Sequence, residues 1–331
     1  MATHLPGGAV LAPAASSQVP IWRGPAGALL GLALAWAALA LGATQASDYV
    51  VELGFRLALL IVLAEAWNLL AGYGGLVSLG TASFFGVGAY VLVGLCNQAG
   101  WPWPAAWALS ALGAAGLAAL VSRAVFRLRG LYFTVGTLAL AEALRLFMVN
   151  FAPFGGATGL FLAADPPDSR HLLQWALGLL AATTLLMSGL TASRLGLLLR
   201  AVRDDEDAAC QMGVRPFRIK LLVFMLASAL TGLAGGLQAL KLGTVEPYAT
   251  FGMGWTVAVL SVVIIGGQGR RAGPALGAVF VLALSELLAD APALHLAITG
   301  LILIVVIRRA PQGLAGLLEQ ALARRARGGR P

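Results

Sequence analysis

Ionisable residues inside otherwise apolar stretches are the first candidates for chemistry in this sequence. Glu52 and Arg56 lie four residues apart in one such stretch. Glu142 and Arg145 lie three apart in another, so the two members of each pair can meet on one helix face. A charge near the centre of a membrane helix costs about 2.5–3.5 kcal/mol, and an opposite charge offsets part of that cost. The Glu142–Arg145 pair therefore predicts either a structural ion pair buried between helices or a group that lines a transport pathway. Glu52 and Arg56 lie near the outer end of their span and can reach water, which favours a structural role.

Glu65 and Glu286 are further carboxylates in apolar stretches, and neither has an oppositely charged neighbour at helical spacing. Asn68 follows Glu65 by one turn and can share its helix face. With the Glu142–Arg145 pair, these three residues complete a candidate set of pathway or buried ion-pair residues. In a self-sufficient secondary carrier or channel, Glu65, Glu142 and Glu286 would be the proton or ion sites.

A second polar feature, the stretch from Arg194 to Lys220, is the only long charged interruption between the apolar runs. Its clustered charges exclude it from hydrocarbon, so it must form a loop on one side of a membrane. Asp204 is a suitable N-cap for a short helix, Gly213 can end that helix at the C′ position, and Pro216 suits the first turn of the next helix. Two short helices that meet near a glycine predict either a docking surface for a partner or a solvated loop that only fixes topology.

Motifs that would make the chain an enzyme are absent from the sequence. It has no Walker A loop, no GxGxxG between a strand and a helix, and no GxSxG nucleophile motif. Its three histidines are not spaced as metal ligands, and Cys96 and Cys210 fall on opposite sides of the topology proposed below, which predicts no disulfide. We expect no metal or cofactor in this chain, so that energy for active transport must come from another chain.

Composition places the chain among integral membrane proteins. Of its 331 residues 59% are hydrophobic and only 11% are charged, against roughly a quarter charged in soluble domains. The net charge of +8 does not indicate nucleic-acid binding, because the basic residues are spread singly between apolar runs.

The apolar runs predict an all-α fold with about ten transmembrane helices, or eight or nine if the shortest runs do not cross. A crossing helix needs roughly 17–25 mostly apolar residues. The run that begins near Ala26 is too long for a signal-peptide core of roughly 7–15 residues, which favours an uncleaved first span. The predicted spans are approximately 26–43, 49–71, 76–96, 102–122, 131–151, 172–192, 221–240, 252–265, 275–289 and 294–307.

Arginine and lysine are distributed unequally between the two sides that these spans create. With the N-terminus inside, the outer segments hold only Arg170 and Lys241. Because positive residues favour the cytoplasmic side, both termini and the loop at 194–220 are predicted to be cytoplasmic. The expected organisation is a disordered tail at 1–24, a single transmembrane domain at 25–310, and a basic tail at 311–331.

Glycine is concentrated at 72–90 and 266–278. Such clusters indicate either close helix packing or broken helices that line a pathway, and the similar starts of the two segments are compatible with a duplication. A third group, Gly155, Gly156, Thr158 and Gly159, follows the fifth predicted span on the outer side. It predicts either a re-entrant gating loop or a plain flexible loop.

Four segments resemble the branched-chain amino acid permease family of ATP-binding-cassette importers, specifically its LivM-type subunits. They are NLLAGYGGLVSLGTASFFGVGAY at 68–90, RLRGLYFTVGTLALAEALRL at 127–146, LLRAVRDDEDAACQMGVRPFRIKLLVFMLASALTGLAGGL at 198–237 and SVVIIGGQGRRAGPALGA at 261–278. The resemblance implies a type II importer-like permease bundle in the bacterial inner membrane. It also implies a second permease of LivH type, two cytoplasmic ATP-binding subunits that hold ATP and Mg, and an extracytoplasmic substrate-binding protein.

Within that family the 194–220 loop resembles the segment that docks into the ATPase. The resemblance implies coupling roles for Arg200, Arg203, Asp204, Glu206, Ala209, Gly213 and Lys220. Leu76 and Thr81 stand where the family often has Gln and His, which removes polar groups from the third predicted span. Relatives that move urea, amides or aromatic acids leave the substrate open.

Overall fold

The fold is almost entirely helical, as the apolar runs predict. The computed structural model describes residues 47–163, 165–289, 292–309 and 312–328. The predicted first span and the predicted tail at 1–24 lie outside these residues. The helices are α1 (Asp48–Asn68), α2 (Thr81–Ala99), α3 (Trp103–Val125), α4 (Leu131–Asn150), α5 (Ser169–Ala192), α6 (Arg194–Asp204), α7 (Glu206–Gln211), α8 (Pro216–Leu242), α9 (Pro247–Thr250), α10 (Met253–Gly266), α11 (Gly273–Leu287), α12 (Pro292–Arg309) and α13 (Gly313–Gly328).

Short irregular elements connect these helices. A π-helical turn, Leu69–Tyr73, continues α1. The chain between α4 and α5 holds two 3₁₀ turns, Ala152–Phe154 and Gly156–Thr158, followed by the strand β1 (Leu160–Phe161). This strand pairs antiparallel with β2 (Thr244–Val245), which follows α8.

Six helical segments among the described residues are long and apolar enough to cross a membrane. They are Thr81–Ala99, Trp103–Val125, Leu131–Asn150, Ser169–Ala192, Pro216–Leu242 and Pro247–Gly266, with shorter apolar helices at Gly273–Leu287 and Ala297–Val306. The helix α1 has 21 residues but carries Glu52, Arg56 and Glu65. The structure confirms the helical fold and gives six candidate spans among the described residues; it does not confirm the predicted count of about ten.

The helix α8 lies at the centre of the bundle and packs against α1, α2, α3 and α5. Glycine makes the closest of these contacts possible, because a β-carbon at Gly88 would overlap the Gly232 carbonyl and one at Gly235 would overlap the Phe85 carbonyl. Backbones of membrane helices approach this closely only through small residues.

The helices α10 and α11 form a second closely packed unit. A β-carbon at Gly266 would overlap the Gly273 carbonyl, and one at Gly277 would overlap the Val262 carbonyl. The glycine-rich stretch at 266–278 is therefore explained by backbone contact between these two helices.

One helix has a largely bare surface. The helix α4 buries only Phe133, Thr137 and Ala141. Its other faces carry large exposed side chains, such as Tyr132 and Phe147. Within the described residues, α4 therefore presents most of its surface to lipid or to another chain.

Candidate functional site

The charged loop consists of two short helices, α6 and α7, that lie against one end of the bundle. The helix α6 buries Gly196, Leu199 and Val202, which share one face at a spacing of three residues. A β-carbon at Gly196 would lie 2.5 Å from the Leu190 carbonyl oxygen, so glycine allows α6 to turn sharply out of α5. Burial of this face fixes the loop to the membrane helices and leaves its charged face outside.

The predicted N-cap is wrong by one residue. Asp204 is the last residue of α6, and Asp205 caps α7 by accepting a hydrogen bond from the Ala208 amide at 2.9 Å. The reason is that the buried Leu199 and Val202 hold α6 helical through Asp204, so that Asp205 is the first residue free to adopt an extended conformation, with φ −154°.

The predicted helix end and helix start are confirmed, whereas the predicted pair of helices needs correction. Gly213 has φ +81° directly after the cap of α7, and Pro216 is the first residue of α8. However, the helix after Gly213 is the 27-residue α8 and not a short one. The two short helices are α6 and α7, and they meet at Asp205.

Three basic side chains tie this loop to separate parts of the bundle. Lys220 Nζ lies 2.6 Å from Glu206 Oε2 and so joins α8 to α7. The Arg200 guanidinium donates to the Thr191 carbonyl at the end of α5 at 3.2 Å. Arg203 Nη1 donates to the Gly72 carbonyl at 2.8 Å, which links α6 to the π-helical turn after α1.

Of the other residues predicted to act in the loop, one is buried against the bundle and another is exposed to solvent. Ala209 is buried, whereas the Asp204 side chain is 66% exposed and pairs only with its neighbour Arg203 among the described residues. Next to α6 and α7 lies an open cleft of about 520 Å³. It is lined by the turn at 74–77, residues 128–131, 133 and 134 at the start of α4, residues 202–206 and Lys220. The loop thus offers both fixed anchors and an accessible polar surface.

Glu65 and Asn68 are both buried but face different partners. Glu65 Oε1 accepts a hydrogen bond from Thr184 on α5 at 2.9 Å, and Glu65 Oε2 has no partner among the described residues. The Asn68 amide instead bonds to the backbone of Gly269 and Arg270. The structure does not bring the Glu65 and Asn68 side chains together.

The predicted Glu52–Arg56 pair does not form, and Glu286 has partners that the sequence spacing did not show. Glu52 Oε2 lies 2.9 Å from Lys241 Nζ at the end of α8. Arg56 Nη1 lies 3.5 Å from Glu286 Oε1, and Tyr49 Oη donates to Glu286 Oε2 at 2.8 Å. Packing of α1 against α8 and α11 therefore replaces the local pair with two pairs between helices.

A cavity of about 540 Å³ lies beside these pairs, at the end of the bundle opposite the α6–α7 loop. It is lined by α1, α8, α10, α11 and α12, mostly with apolar side chains such as Leu60 and Trp255. Its polar groups include Glu52, Arg56 and Gln238. A largely apolar cavity with a few polar groups is typical of a small-molecule site.

The predicted Glu142–Arg145 pair is present on α4. The Arg145 guanidinium contacts both carboxylate oxygens of Glu142 and lies 5.0 Å from the Tyr248 ring centroid. The Glu142 side chain is 54% exposed, so this chain alone does not bury the pair between helices. The pair therefore lies on the bare surface of α4.

The candidate gating loop is tightly folded. Gly155, Gly156 and Gly159 all have positive φ, and Thr158 Oγ1 donates to the Gly155 carbonyl at 2.8 Å. A β-carbon at Gly159 would overlap the Val245 carbonyl. These contacts give the loop a defined conformation; its gating role stays a prediction.

The partners that the sequence reasoning missed lie far away along the chain. Lys241 and Thr184 bind glutamates on α1, and Gly269 binds Asn68. One signal was available for Lys241, since it is the rare basic residue at the same membrane side as Glu52. No spacing rule predicts the other two contacts, because they depend on how the helices pack.

A nearly all-helical bundle with six segments long and apolar enough to cross a membrane, and a charged two-helix loop at one end, is typical of a multi-pass membrane protein. Residues 49–307 match the family described as "Branched-chain amino acid transport system / permease component". This match covers more than half of the chain, so the chain belongs to that family, and the resemblance to LivM-type subunits is confirmed.

Individual relatives are named as permeases for branched-chain amino acids or for sugars. The branched-chain amino acid permease LivM of Escherichia coli K12 is 28% identical over 89% of this chain and 75% of its own length. The xylose/arabinose permease XylH of Sulfolobus acidocaldarius is 28% identical over 74% of this chain and 68% of its own length. The ribose permease RbsC of E. coli K12 is 28% identical over only 32% of this chain and 34% of its own length. No solved structure matches this chain.

Proposed function

We propose that this permease component imports branched-chain or related small amino acids and is driven by a separate ATPase that pushes on the 194–220 loop. The observation that carries the proposal is the way the loop is attached. Arg200, Arg203 and Lys220 connect it to α5, to the turn after α1, and to α8. A force on α6 and α7 is therefore passed to three membrane elements at once.

The distribution of basic residues indicates which end of the bundle faces the cytoplasm. The 194–220 loop, Arg270 and Arg271, and the C-terminal residues carry most of the basic side chains, so they belong in the cytoplasm of a bacterial inner-membrane protein. The cavity near Glu52 and Arg56 then faces the outside, where a substrate-binding protein delivers its cargo. ATP and Mg are bound by the two ATP-binding subunits and not by this chain. The domain limits predicted from the sequence, 25–310 for the permease domain and 311–331 for the tail, are part of this proposal; α13 is helical within the tail.

A second permease subunit of LivH type accounts for the surface of α4. Glu142 lies in the middle of this helix and is half-exposed, beside Arg145. A carboxylate at that depth is unfavourable against lipid tails and favourable against a protein surface or a hydrated pathway. We therefore place the partner permease, or the pathway between the two subunits, against α4.

The chemistry of the cavity favours an amino acid over xylose, arabinose or ribose, the sugars that appear in the names of two relatives. Its wall is mostly apolar, with a carboxylate at Glu52 and a guanidinium at Arg56. Glu52 and Arg56 already pair with Lys241 and Glu286, so the apolar wall carries the argument. An aliphatic side chain matches that wall, whereas a sugar requires hydrogen-bond partners for many hydroxyl groups. Urea, amides and aromatic acids are the alternative substrates within the family.

A stand-alone secondary carrier is the weaker alternative. Glu142 and Glu286 each pair with an arginine, so neither is an unoccupied ion site. Of the three candidate glutamates, only Glu65 has a carboxylate oxygen without a partner among the described residues, and its other oxygen accepts from Thr184.

Reconstitution tests the proposal. The chain is placed in vesicles alone, and together with its second permease, ATPase and binding protein, and uptake of labelled leucine is measured with and without ATP. We expect uptake only from the full complex with ATP, and inhibition by excess valine or isoleucine but not by xylose or ribose. Ion-driven uptake by the chain alone would refute the importer mechanism, and inhibition by sugars only would refute the substrate assignment.

A further inference from the structure

A continuous set of contacts runs from the α6–α7 loop to the turn between α10 and α11. Its first link is Arg203, whose guanidinium donates to the Gly72 carbonyl at 2.8 Å. A β-carbon at Gly75 would lie 2.6 Å from Arg203 Cγ, so the arginine stem lies directly on the turn that follows α1. Movement of α6 must therefore displace this turn or break the contact.

The second link is the side chain of Asn68, which is 2% exposed. Its Oδ1 accepts from the Gly269 amide at 2.7 Å, and its Nδ2 donates to the Arg270 carbonyl at 3.2 Å. A β-carbon at Gly72 would lie 2.5 Å from the Gly269 nitrogen, so the two turns also touch directly through their backbones. Both ends of one amide thus bind the turn at 269–270 to the end of α1.

The segment between these two links is a π-helical turn, Leu69–Tyr73. Such turns are rare and occur frequently at functional sites. Here the turn lies between Asn68 and the Gly72 carbonyl that binds Arg203. It is the one π-helical segment among the described residues.

The third link fixes the receiving turn to α13. Arg270 forms an ion pair with Glu319, and its Nη2 lies 3.0 Å from Gln312 Oε1. A β-carbon at Gly267 would lie 2.6 Å from the Gln312 carbonyl oxygen. The turn at 267–270 therefore lies between the end of α1 and α13.

Beyond this turn, α10 and α11 reach the cavity at the opposite end of the bundle. Ser261 of α10 and Ser285 of α11 both line that cavity. Because α10 and α11 touch through their backbones, displacement of their connecting turn moves both cavity walls as one unit. The loop is thus connected to the cavity through these packed elements, in addition to the long helices α1 and α8, which line the cavity with Glu52 and Gln238.

We infer that Asn68 is a positioning residue for coupling: with the π-helical turn, it passes movement of the α6–α7 loop to the α10–α11 pair that walls the cavity. The inference rests on the proposed function and adds the route within this subunit. In this route α13 holds the turn at 267–270 in place through the contacts of Arg270.

The test measures substrate moved per ATP hydrolysed, which a purely structural residue would not change. Asn68→Ala removes both hydrogen bonds, and we expect the complex still to contain the ATPase and to hydrolyse ATP, with uptake per ATP reduced about tenfold, within the usual range of coupling between sites. The matched control is Asn97→Ala on α2, whose amide also bonds to backbone groups but at the far end of the bundle. We expect that control to keep the wild-type ratio.

A second readout and a second variant make the test decisive. In a Ser285→Cys chain that lacks its natural cysteines, reaction of the cavity thiol with a water-soluble maleimide should depend on ATP, and Asn68→Ala should remove that dependence. Should Asn68→Ala fail to accumulate, Glu319→Gln decides: its side chain is exposed, so the variant should fold, and loss of an exposed ion pair should lower uptake per ATP about threefold.

The outcomes separate the two proposals. An unchanged ratio of uptake to ATP in Asn68→Ala, or in Glu319→Gln where that variant decides, refutes the route while a working wild-type complex leaves the importer function intact. If the wild-type complex does not couple ATP to uptake at all, the proposed function fails and the route fails with it.

Discussion

Separation of Glu206 from Lys220 should weaken coupling by a predictable amount. The two side chains join α7 to α8 at 2.6 Å, with the lysine mostly buried and the glutamate one-third exposed. A hydrogen bond between charged groups contributes about 1.5–3 kcal/mol, and partial exposure favours the lower end of that range. Since about 1.4 kcal/mol is a factor of ten, Lys220→Met should raise the population of a detached α7 roughly tenfold.

The assay combines ATP-driven leucine uptake in vesicles with limited proteolysis of the loop. Lys220→Met and Glu206→Gln should each lower uptake and expose the loop to protease, and the double variant should be little worse than either single one. The control is Arg218→Met, which removes a positive charge from an exposed position on the same helix. Additive effects of the two substitutions, or equal protease sensitivity of Lys220→Met and the control, would refute the reasoning.

Three other predictions concern the membrane residues and the loop glycine. Glu142→Gln should leave the charge of Arg145 without its partner and reduce recovery of the second permease on purification; undiminished recovery would show that the pair does not lie at that interface. Glu65→Gln preserves the acceptor for Thr184 and should leave ATP-driven uptake within about twofold of wild type, whereas loss of uptake would favour an ion-carrying role for this carboxylate. Gly213→Pro should abolish uptake while the protein still inserts, because φ is +81° there and proline requires about −65°; Gly213→Asn, which tolerates positive φ, should retain uptake, and activity in the proline variant would show that the turn is not needed.

The fold class and much of the loop were predictable because they depend on local chemistry. In a membrane, the backbone N–H and C=O groups of a long, continuously apolar run find hydrogen-bond partners within a helix. Gly213 and Pro216 then fix a helix end and a helix start. The cap was misplaced because two adjacent aspartates are equally suitable by type. Burial of Leu199 and Val202, which is a tertiary contact, decides between them.

The ion pairs could be predicted only where the partners share one helix surface and lack a competitor. Glu142 and Arg145 pair as predicted, since α4 packs few neighbours against them. Glu52 and Arg56 do not pair, because α8 and α11 bring Lys241 and Glu286 within reach. Such competition depends on helix packing and is not encoded in spacing along one helix.

The central claim, that α6 and α7 receive the ATPase, can be tested directly at a natural residue of the chain. Cys210 is an exposed thiol on α7, and Cys96 on α2 can be replaced by alanine so that only Cys210 reacts. A photo-crosslinker attached to Cys210 in native membranes should capture an ATP-binding subunit, with a yield that changes when ATP is added. Crosslinks to lipid alone, or none to an ATP-binding subunit in membranes that show ATP-driven uptake, would contradict the claim.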